Sequence, residues 1–160
     1  MSEATQWKNV KSALSLVDPV RVDNSAGPGT PDVNFGGVVE GERIEGWLEL
    51  KWIRNWPARE ETPLRVDHFT PQQRIWLRRR WIRGGVALLL IQVGREWLLF
   101  DGLTAAKHLG HKPRATLQNL ALYVWSEGLN SGELIRCLRT ISRQENASIS
   151  PASVRESVRR

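Results

Sequence analysis

Asp32, Glu49 and Lys51 are the residues of this chain whose types and spacing best suit catalysis. Asp32 follows the turn sequence Gly-Pro-Gly at residues 27–29 and precedes the apolar segment 33–39. Glu49 and Lys51 belong to residues 45–53, where polar and apolar residues alternate, so in a β-strand they share one face with Glu45 and Trp47. A hairpin loop at residues 40–43 would pair the two segments antiparallel and bring Asp32 beside Glu49 and Lys51.

Two carboxylates beside an amine can assist hydrolysis with a divalent cation. Mg²⁺ prefers oxygen ligands and keeps several of its waters. Held by Asp32 and Glu49, it would activate water and neutralise charge on a phosphate, while Lys51 would orient the water or stabilise that charge. The alternative interpretation is an exposed strand face stabilised by a salt bridge, the common use of an isolated Glu-x-Lys pair.

Four motifs follow one another along the chain. They are the turn Gly29-Thr30-Pro31-Asp32, the strand residues Glu49-Leu50-Lys51, the helix start Thr70-Pro71-Gln72-Gln73-Arg74-Ile75-Trp76, and Gly84-Gly85 before the strand Val86-Ala87-Leu88. In this order they resemble the motifs of the PD-(D/E)XK nuclease superfamily, and in particular of its VRR-NUC and Holliday-junction-resolvase branch. The resemblance covers residues 27–101.

The resemblance implies site residues. Asp32, Glu49, Lys51 and Gln73 would be catalytic, and Asp32, Glu49 and the Leu50 carbonyl would hold Mg²⁺ or Mn²⁺. Gln72 is the alternative to Gln73, because the register depends on the spacing to Trp76.

Many members of the superfamily carry a further acidic residue on the first helix. Here only Glu3 is available, before the predicted helix start, and Glu45 is a weaker substitute. His68 is a candidate metal ligand or base, with a surface or turn role as the alternative.

The fold class predicted is α/β, a restriction-endonuclease-like core with a central mixed sheet of about four strands flanked by helices. Residues 1–143 would form a single domain, followed by a loosely ordered basic tail at 144–160. Helices are predicted from a Thr5 cap to about Val17, over 71–83 after a Thr70 cap, over 115–126, and after an Asn130 cap. Residues 18–30 are predicted as a loop with turn formers at 23–25, 86–93 and 96–100 as strands, and Asp101-Gly102 as a turn without chemistry.

Charge indicates a polyanionic partner. The chain has 23 Lys and Arg against 17 Asp and Glu, a net charge of +6 and a pI of about 10.2. Arg74, Arg78 and Arg80 on the helix 71–83 are candidate DNA-binding residues, although the arginines there circle the helix rather than form one stripe. Arg54 and Trp56, in the loop after the strand 45–53, are further candidates; Trp56 could stack on bases or cover the core.

Several other classes are disfavoured. A single cysteine, Cys137, excludes an internal disulfide and multi-thiolate metal sites, and we interpret it as a core residue. No signal-peptide pattern or membrane-length apolar stretch is found, so we expect a cytoplasmic protein, in the host cytoplasm if it is phage-encoded, as small members of this branch often are.

The function predicted is a Mg²⁺- or Mn²⁺-dependent DNA endonuclease, structure-selective for branched or junction DNA, with a homodimer as a possible assembly. The first alternative is a DNA-binding or virion protein that has the nuclease fold but does not cleave. The second is a restriction-type nuclease that cuts at one short sequence.

Overall fold

The computed structural model describes residues 2–23 and 27–148, with side chains described through residue 145. In these ranges the strands are β1 (Val20–Arg21), β2 (Val33–Val39), β3 (Glu42–Ile53), β4 (Ala87–Val93), β5 (Glu96–Asp101) and β6 (Tyr123–Trp125). The helices are α1 (Glu3–Ala13), α2 (Pro71–Ile82), α3 (Gly102–His108), α4 (Arg114–Leu120) and α5 (Ser131–Ser148), with a 3-10 turn at Ser15–Val17.

One mixed sheet forms the centre of the molecule, with the strands in chain order from β1 to β6. Neighbouring strands are antiparallel except β3 and β4, which are parallel and are connected through α2. The predicted α/β class with a central mixed sheet flanked by helices is confirmed. The expected number of about four strands was wrong, because the described residues form six.

The two additional strands are short and lie at the edges of the sheet. β1 pairs with β2 inside the stretch predicted as the loop 18–30. β6 pairs with β5 and occupies the end of the predicted helix 115–126, which in the structure is α4 from residue 114 to 120. β1 and β6 have two and three residues, too few to show the alternation of a strand. Their conformation is therefore set by hydrogen-bonded pairing with β2 and β5 at the edges of the sheet.

The sheet buries a different hydrophobic cluster on each face. On one face α1 and α5 pack against the sheet through side chains that include Val10, Leu14, Leu48 and Leu138. On the other face α2, α3 and α4 pack through side chains that include Leu77, Leu89, Ala105 and Leu117. Every residue of β4 is buried, as its continuous apolar sequence predicts for a central strand.

The hairpin between β2 and β3 is tighter than predicted. Its loop is Glu40-Gly41, and both residues have positive φ, +49° and +79°, the values of a type I′ turn. β3 therefore begins at Glu42. Arg139 and Arg143 of α5 form salt bridges with Glu42, and Arg139 also forms one with Glu40. These salt bridges connect α5 to the hairpin.

Three predictions of local structure need correction: the cap of the first helix, the turn at Asp101-Gly102 and the start of the tail. Ser2, not Thr5, caps α1, and its hydroxyl accepts a hydrogen bond from the Thr5 backbone N–H. Asp101 does not form a simple turn; its carboxylate caps α3 by accepting from the backbone N–H and hydroxyl of Thr104 at 2.8 and 2.7 Å. α5 continues through residues 144–148, which the sequence predicts to belong to the tail.

Residues 149–160 and the predicted turn residues Asn24 and Ser25 lie outside the described part of the chain.

Candidate active site

Asp32, directly before β2, lies beside Glu49 in the second half of β3. The antiparallel register places Val33 opposite Leu48, so Asp32 lies level with the residues that follow Leu48. The Leu50 backbone N–H donates to Asp32 Oδ2 at 2.8 Å, which fixes the Asp32 carboxylate against β3. The hairpin pairing expected from the sequence thus places Asp32 beside Glu49 and Lys51.

The turn before Asp32 is fixed by close packing against α2. Gly29 has φ of +85°, and a Cβ atom there would lie 2.5 Å from the carbonyl carbon and oxygen of Gln72. Only glycine fits this backbone conformation and this approach without strain. The turn that carries Asp32 is therefore held against the start of the helix that carries Gln73.

Glu49 is fully buried, with 0% of its surface exposed, and its two oxygens have different surroundings. Oε1 accepts from Lys51 Nζ and from Gln73 Nε2, each at 2.7 Å. Among the described residues, Oε2 has no hydrogen-bond partner. A buried carboxylate oxygen without a partner is costly unless a further ligand binds it.

The pKa of Glu49 is raised from its ordinary value of 4.5 to about 7. Burial is the main cause, since it disfavours the charged form, and the nearby Asp32 carboxylate raises the pKa further. The Lys51 ammonium opposes both effects. The Glu49 carboxyl therefore gains and loses its proton near neutral pH.

Gln73 links the start of α2 to Glu49. Thr70 and Gln73 form a capping box, in which Thr70 Oγ1 accepts from the Gln73 backbone N–H and Gln73 Oε1 accepts from the Thr70 backbone N–H. The remaining polar group of the Gln73 side chain, Nε2, donates to Glu49. Gln72 is exposed, and of the two glutamines left open by the sequence it is Gln73 that contacts Glu49.

Gln6 on α1 is a buried polar residue that the sequence reasoning did not identify as part of the site. Its Nε2 donates to the Lys51 backbone carbonyl at 2.6 Å. Gln6 occupies the apolar side of α1, four residues before Val10. A polar residue on an otherwise apolar helix face is the pattern that could have indicated a specific partner.

A small cleft of about 70 Å³ opens beside Asp32 and Lys51. Leu50 lines it, as do residues from α1, from β1 and from the segment before α2: Glu3, Gln6, Trp7, Arg21 and His68. The expectation that Glu3 precedes the first helix was wrong, because α1 begins at Glu3. Its carboxylate is therefore the acidic group that the first helix contributes to the cleft.

His68 also lines this cleft. Its pKa is lowered, first by burial and then by the positive charge of Lys51. The imidazole is therefore neutral at physiological pH and can accept or donate a hydrogen bond within the cleft.

The donor set fits a hard divalent cation. Mg²⁺ is commonly bound through one or two carboxylates while it keeps several waters. Asp32 and Glu49 supply these carboxylates, and Glu49 Oε2 is a buried acceptor that lacks a protein partner. Within residues 2–23 and 27–148 no cluster of three or more His, Cys, Asp or Glu side chains forms a metal site, so a cation here would rely on water for most of its ligands.

The predicted DNA-binding arginines of α2 lie on different sides of the helix. Arg74 points toward α3, donating to the Ala106 carbonyl at 3.0 Å, with its guanidinium 4.2 Å from the Phe69 ring centre. Arg80 lies on the opposite side, 5.6 Å from the Trp76 ring centre. Arg78 is exposed on the side of Arg74.

Arg54 and Trp56 follow β3 in the next loop. Arg54 is exposed, whereas Trp56 is half-buried and packs against the hydrophobic cluster under α2, with the Arg114 guanidinium 5.3 Å from its ring centre. Trp56 therefore covers the core, the second of the two roles that its sequence position allowed.

Glu45 lies four residues before Glu49 on β3, in a separate groove with Arg43 and Arg80.

The chain was compared with protein families, with curated protein sequences and with solved structures, and a match was found among the solved structures. No protein family and no curated protein sequence matches this chain. Among solved structures, the chain is similar to Hjc of Archaeoglobus fulgidus, a Holliday junction resolvase from an archaeal hyperthermophile. The sequences are 19% identical, the match covers 76% of this chain and 92% of that one, and the TM-score is 0.46. A likeness at this level assigns no activity, so the functional argument rests on the side chains described above.

Within the described residues, the chain has no helix long and apolar enough to cross a membrane.

Proposed function

We propose that this protein is a divalent-metal-dependent DNA endonuclease of the PD-(D/E)XK type. The observation that carries the proposal is the environment of Glu49. This fully buried carboxylate contacts Lys51 and Gln73 through one oxygen, no N–H or O–H group of the described residues donates to the other, and the Asp32 carboxylate lies beside it. A salt-bridged surface strand, the alternative interpretation, does not require a buried, unsatisfied carboxylate oxygen.

Asp32 and Glu49 would hold Mg²⁺ or Mn²⁺, with the Leu50 carbonyl as a further ligand. A cation bound there would lower the pKa of a water and neutralise charge developing on the phosphate. In the hydrolysis, the water oxygen forms a bond to phosphorus, the bond from phosphorus to the sugar oxygen breaks, and that oxygen leaves with a proton.

Three side chains prepare this step. Lys51 is held beside Glu49, where its ammonium can orient the attacking water or stabilise charge on the phosphate oxygens. Gln73 donates to the same Glu49 oxygen that Lys51 contacts and is itself fixed by the capping box. Gln6 fixes the backbone at Lys51 through its carbonyl. The site is therefore organised before substrate arrives.

DNA is the proposed substrate because the chain is strongly basic and because α2, which carries Gln73, also carries exposed arginines such as Arg80. Phosphate contacts of this kind provide affinity without sequence information, which favours recognition of DNA structure over a short sequence. Branched or junction DNA is the proposed form, and a homodimer would permit paired cuts on two strands.

The test is cleavage of end-labelled linear, nicked, flapped and four-way-junction DNA in Mg²⁺ or Mn²⁺. We expect cutting of branched forms by the wild type and loss of cutting in Asp32→Ala, while Glu45→Ala, altered on the same strand but outside the cleft, keeps it. Tight DNA binding without cutting in either metal would leave the non-cleaving DNA-binding protein as the function. Uniform cuts at one short sequence would instead indicate a restriction-type nuclease.

A further inference from the structure

A second groove lies on the side of α2 that faces away from Gln73, and the proposed reaction does not use it. It runs between α2 and α3 and has a volume of about 670 Å³. Its lining is made of apolar and basic side chains: Arg74, Ile75, Arg78, Arg79, Ile82, Arg83, Leu103, Ala106 and Lys107. We refer to it as the α2–α3 groove.

The middle of the α2–α3 groove is apolar and open to solvent. Ile75 and Ile82 are seven residues apart and therefore share one face of α2, and they are 63% and 55% exposed. Leu103 of α3 is 37% exposed and lines the same groove. Clustered large apolar side chains that face solvent, with a polar rim, are typical of interaction sites.

The rim of the α2–α3 groove is entirely basic. Arg78 and Arg79 come from α2, Arg83 directly follows its last residue, and Lys107 comes from α3; none of the lining residues is acidic. In the part of the chain that the structure describes, no carboxylate forms a salt bridge with any of these four side chains. This rim contrasts with α5, where Arg139 and Arg143 are paired with glutamates.

The packing of α3 on α2 makes this groove a fixed feature. A Cβ atom on Gly102 would lie 2.5 Å from the Leu77 carbonyl oxygen, so α3 begins in direct backbone contact with α2. Arg74 spans the two helices through its hydrogen bond to the Ala106 carbonyl. A partner would therefore meet a preformed surface, which lowers the ordering cost of binding.

We propose that the α2–α3 groove binds an amphipathic α-helix of a partner protein, with an apolar stripe flanked by aspartate and glutamate. Helices bind to such grooves through apolar anchors spaced three, four and seven residues apart along the bound helix, and Ile75, Ile82 and Leu103 would contact these anchors. Acidic flanks would pair with the four basic rim residues. A neutral partner would remove water from these charges without supplying an opposite charge.

Two other occupants fit less well. A second copy related by two-fold symmetry would place the arginines of one groove opposite those of the other, and like charges oppose this contact. A DNA backbone would pair with the arginines but would gain nothing from the exposed Ile75 and Ile82. The combination of apolar centre and basic rim therefore favours an acidic amphipathic helix.

The experiment measures binding of a fluorescein-labelled synthetic helix of about 18 residues with leucines on one face and glutamates beside them. A peptide of the same composition with shuffled order is the probe control. Fluorescence anisotropy at roughly physiological salt compares the full chain with Ile75→Ser/Ile82→Ser and with Arg79→Glu. The matched protein controls are Val38→Ser and Arg59→Glu, which change exposed residues outside the groove.

We expect the amphipathic peptide to bind about tenfold more tightly than the shuffled one, and each groove variant to weaken binding by about tenfold while the controls keep it. Equal binding of both peptides, or unchanged binding by Ile75→Ser/Ile82→Ser, would overturn the proposal. It would also be overturned if that double variant dissociated a wild-type dimer in sedimentation, or lost affinity for duplex DNA. The substituted side chains are exposed, so circular dichroism should show a retained fold.

Discussion

Replacing Glu49 by glutamine should abolish a loss of stability that the metal-free protein undergoes as the pH rises from acid to alkaline. The side chain is fully buried, its pKa is raised to about 7, and burial followed by the charge of Asp32 causes the rise. Glutamine has nearly the same shape and keeps an oxygen that can accept from Lys51 and Gln73, but it carries no charge at any pH. The substitution therefore removes the cost of ionising a buried carboxylate.

The size of the effect follows from linkage. A carboxylate whose pKa is higher in the folded than in the unfolded state contributes its full stability below the unfolded value, and this contribution is lost as the pH rises through the folded value. For Glu49 the window runs from 4.5 to about 7. At about 1.4 kcal/mol for each pH unit, the wild type loses about 3 kcal/mol of unfolding free energy across it, and Glu49→Gln loses none from this site.

Urea denaturation in EDTA, at about pH 4 and about pH 8.5, measures this difference for both proteins. The unfolding free energy of Glu49→Gln minus that of the wild type should be about 3 kcal/mol larger at the higher pH than at the lower pH. Glu45→Gln, changed at an exposed position of the same strand, serves as the control and should show no such gain. A difference between Glu49→Gln and wild type that stays constant with pH would refute the reasoning.

Three further predictions concern packing around the site. Gln73→Ala should lower thermal stability by about 1 kcal/mol through loss of the capping box and should also reduce cleavage, whereas Gln72→Ala should do neither; equal effects of the two would contradict the assignment. Gln6→Ala should cost about 1–3 kcal/mol in urea denaturation, because the buried Lys51 carbonyl loses its donor. Gly102→Ala should cost about 1–3 kcal/mol by forcing α3 away from α2, and an unchanged melting temperature would show that the backbone contact is not tight.

The central part of the fold could be predicted because its sequence patterns are strong. The alternation in residues 45–53 predicts a strand, and the structure buries Leu48 against α1 and α5 while Glu49 faces α2. Thr70-Pro71 with Gln73 predicts a capped helix start, and that capping box is present. In these segments local preference and tertiary packing favour the same conformation.

The edges of the sheet could not be predicted in the same way. β1 has two residues and β6 has three, and their conformation depends on pairing with β2 and β5, which no local pattern records. α3 was missed because Asp101-Gly102 has the composition of a turn, although Asp101 is a helix cap and Gly102 a contact with α2. Both errors arise where tertiary contact overrides local preference.

For the candidate site, the sequence identified the residues of the β2–β3 hairpin but not those contributed by α1. Asp32 and Glu49 are brought together by strand register, which hydrophobic alternation predicts. Gln6 and Glu3 reach the site only because α1 packs across the opposite face of the sheet, with its N-terminus at the end of β3. That placement depends on long-range packing and on a helix start three residues earlier than the pattern indicated.

The most direct test of the proposed catalysis is the initial rate of cleavage of a four-way DNA junction against Mg²⁺ concentration, for the wild type and Lys51→Ala. The proposal predicts no cleavage in EDTA, a rate that saturates with Mg²⁺, and a rate at saturation about 10²–10³-fold lower in Lys51→Ala. Cleavage that persists in EDTA, or that Lys51→Ala performs at the wild-type rate, would contradict a metal-dependent reaction at this site.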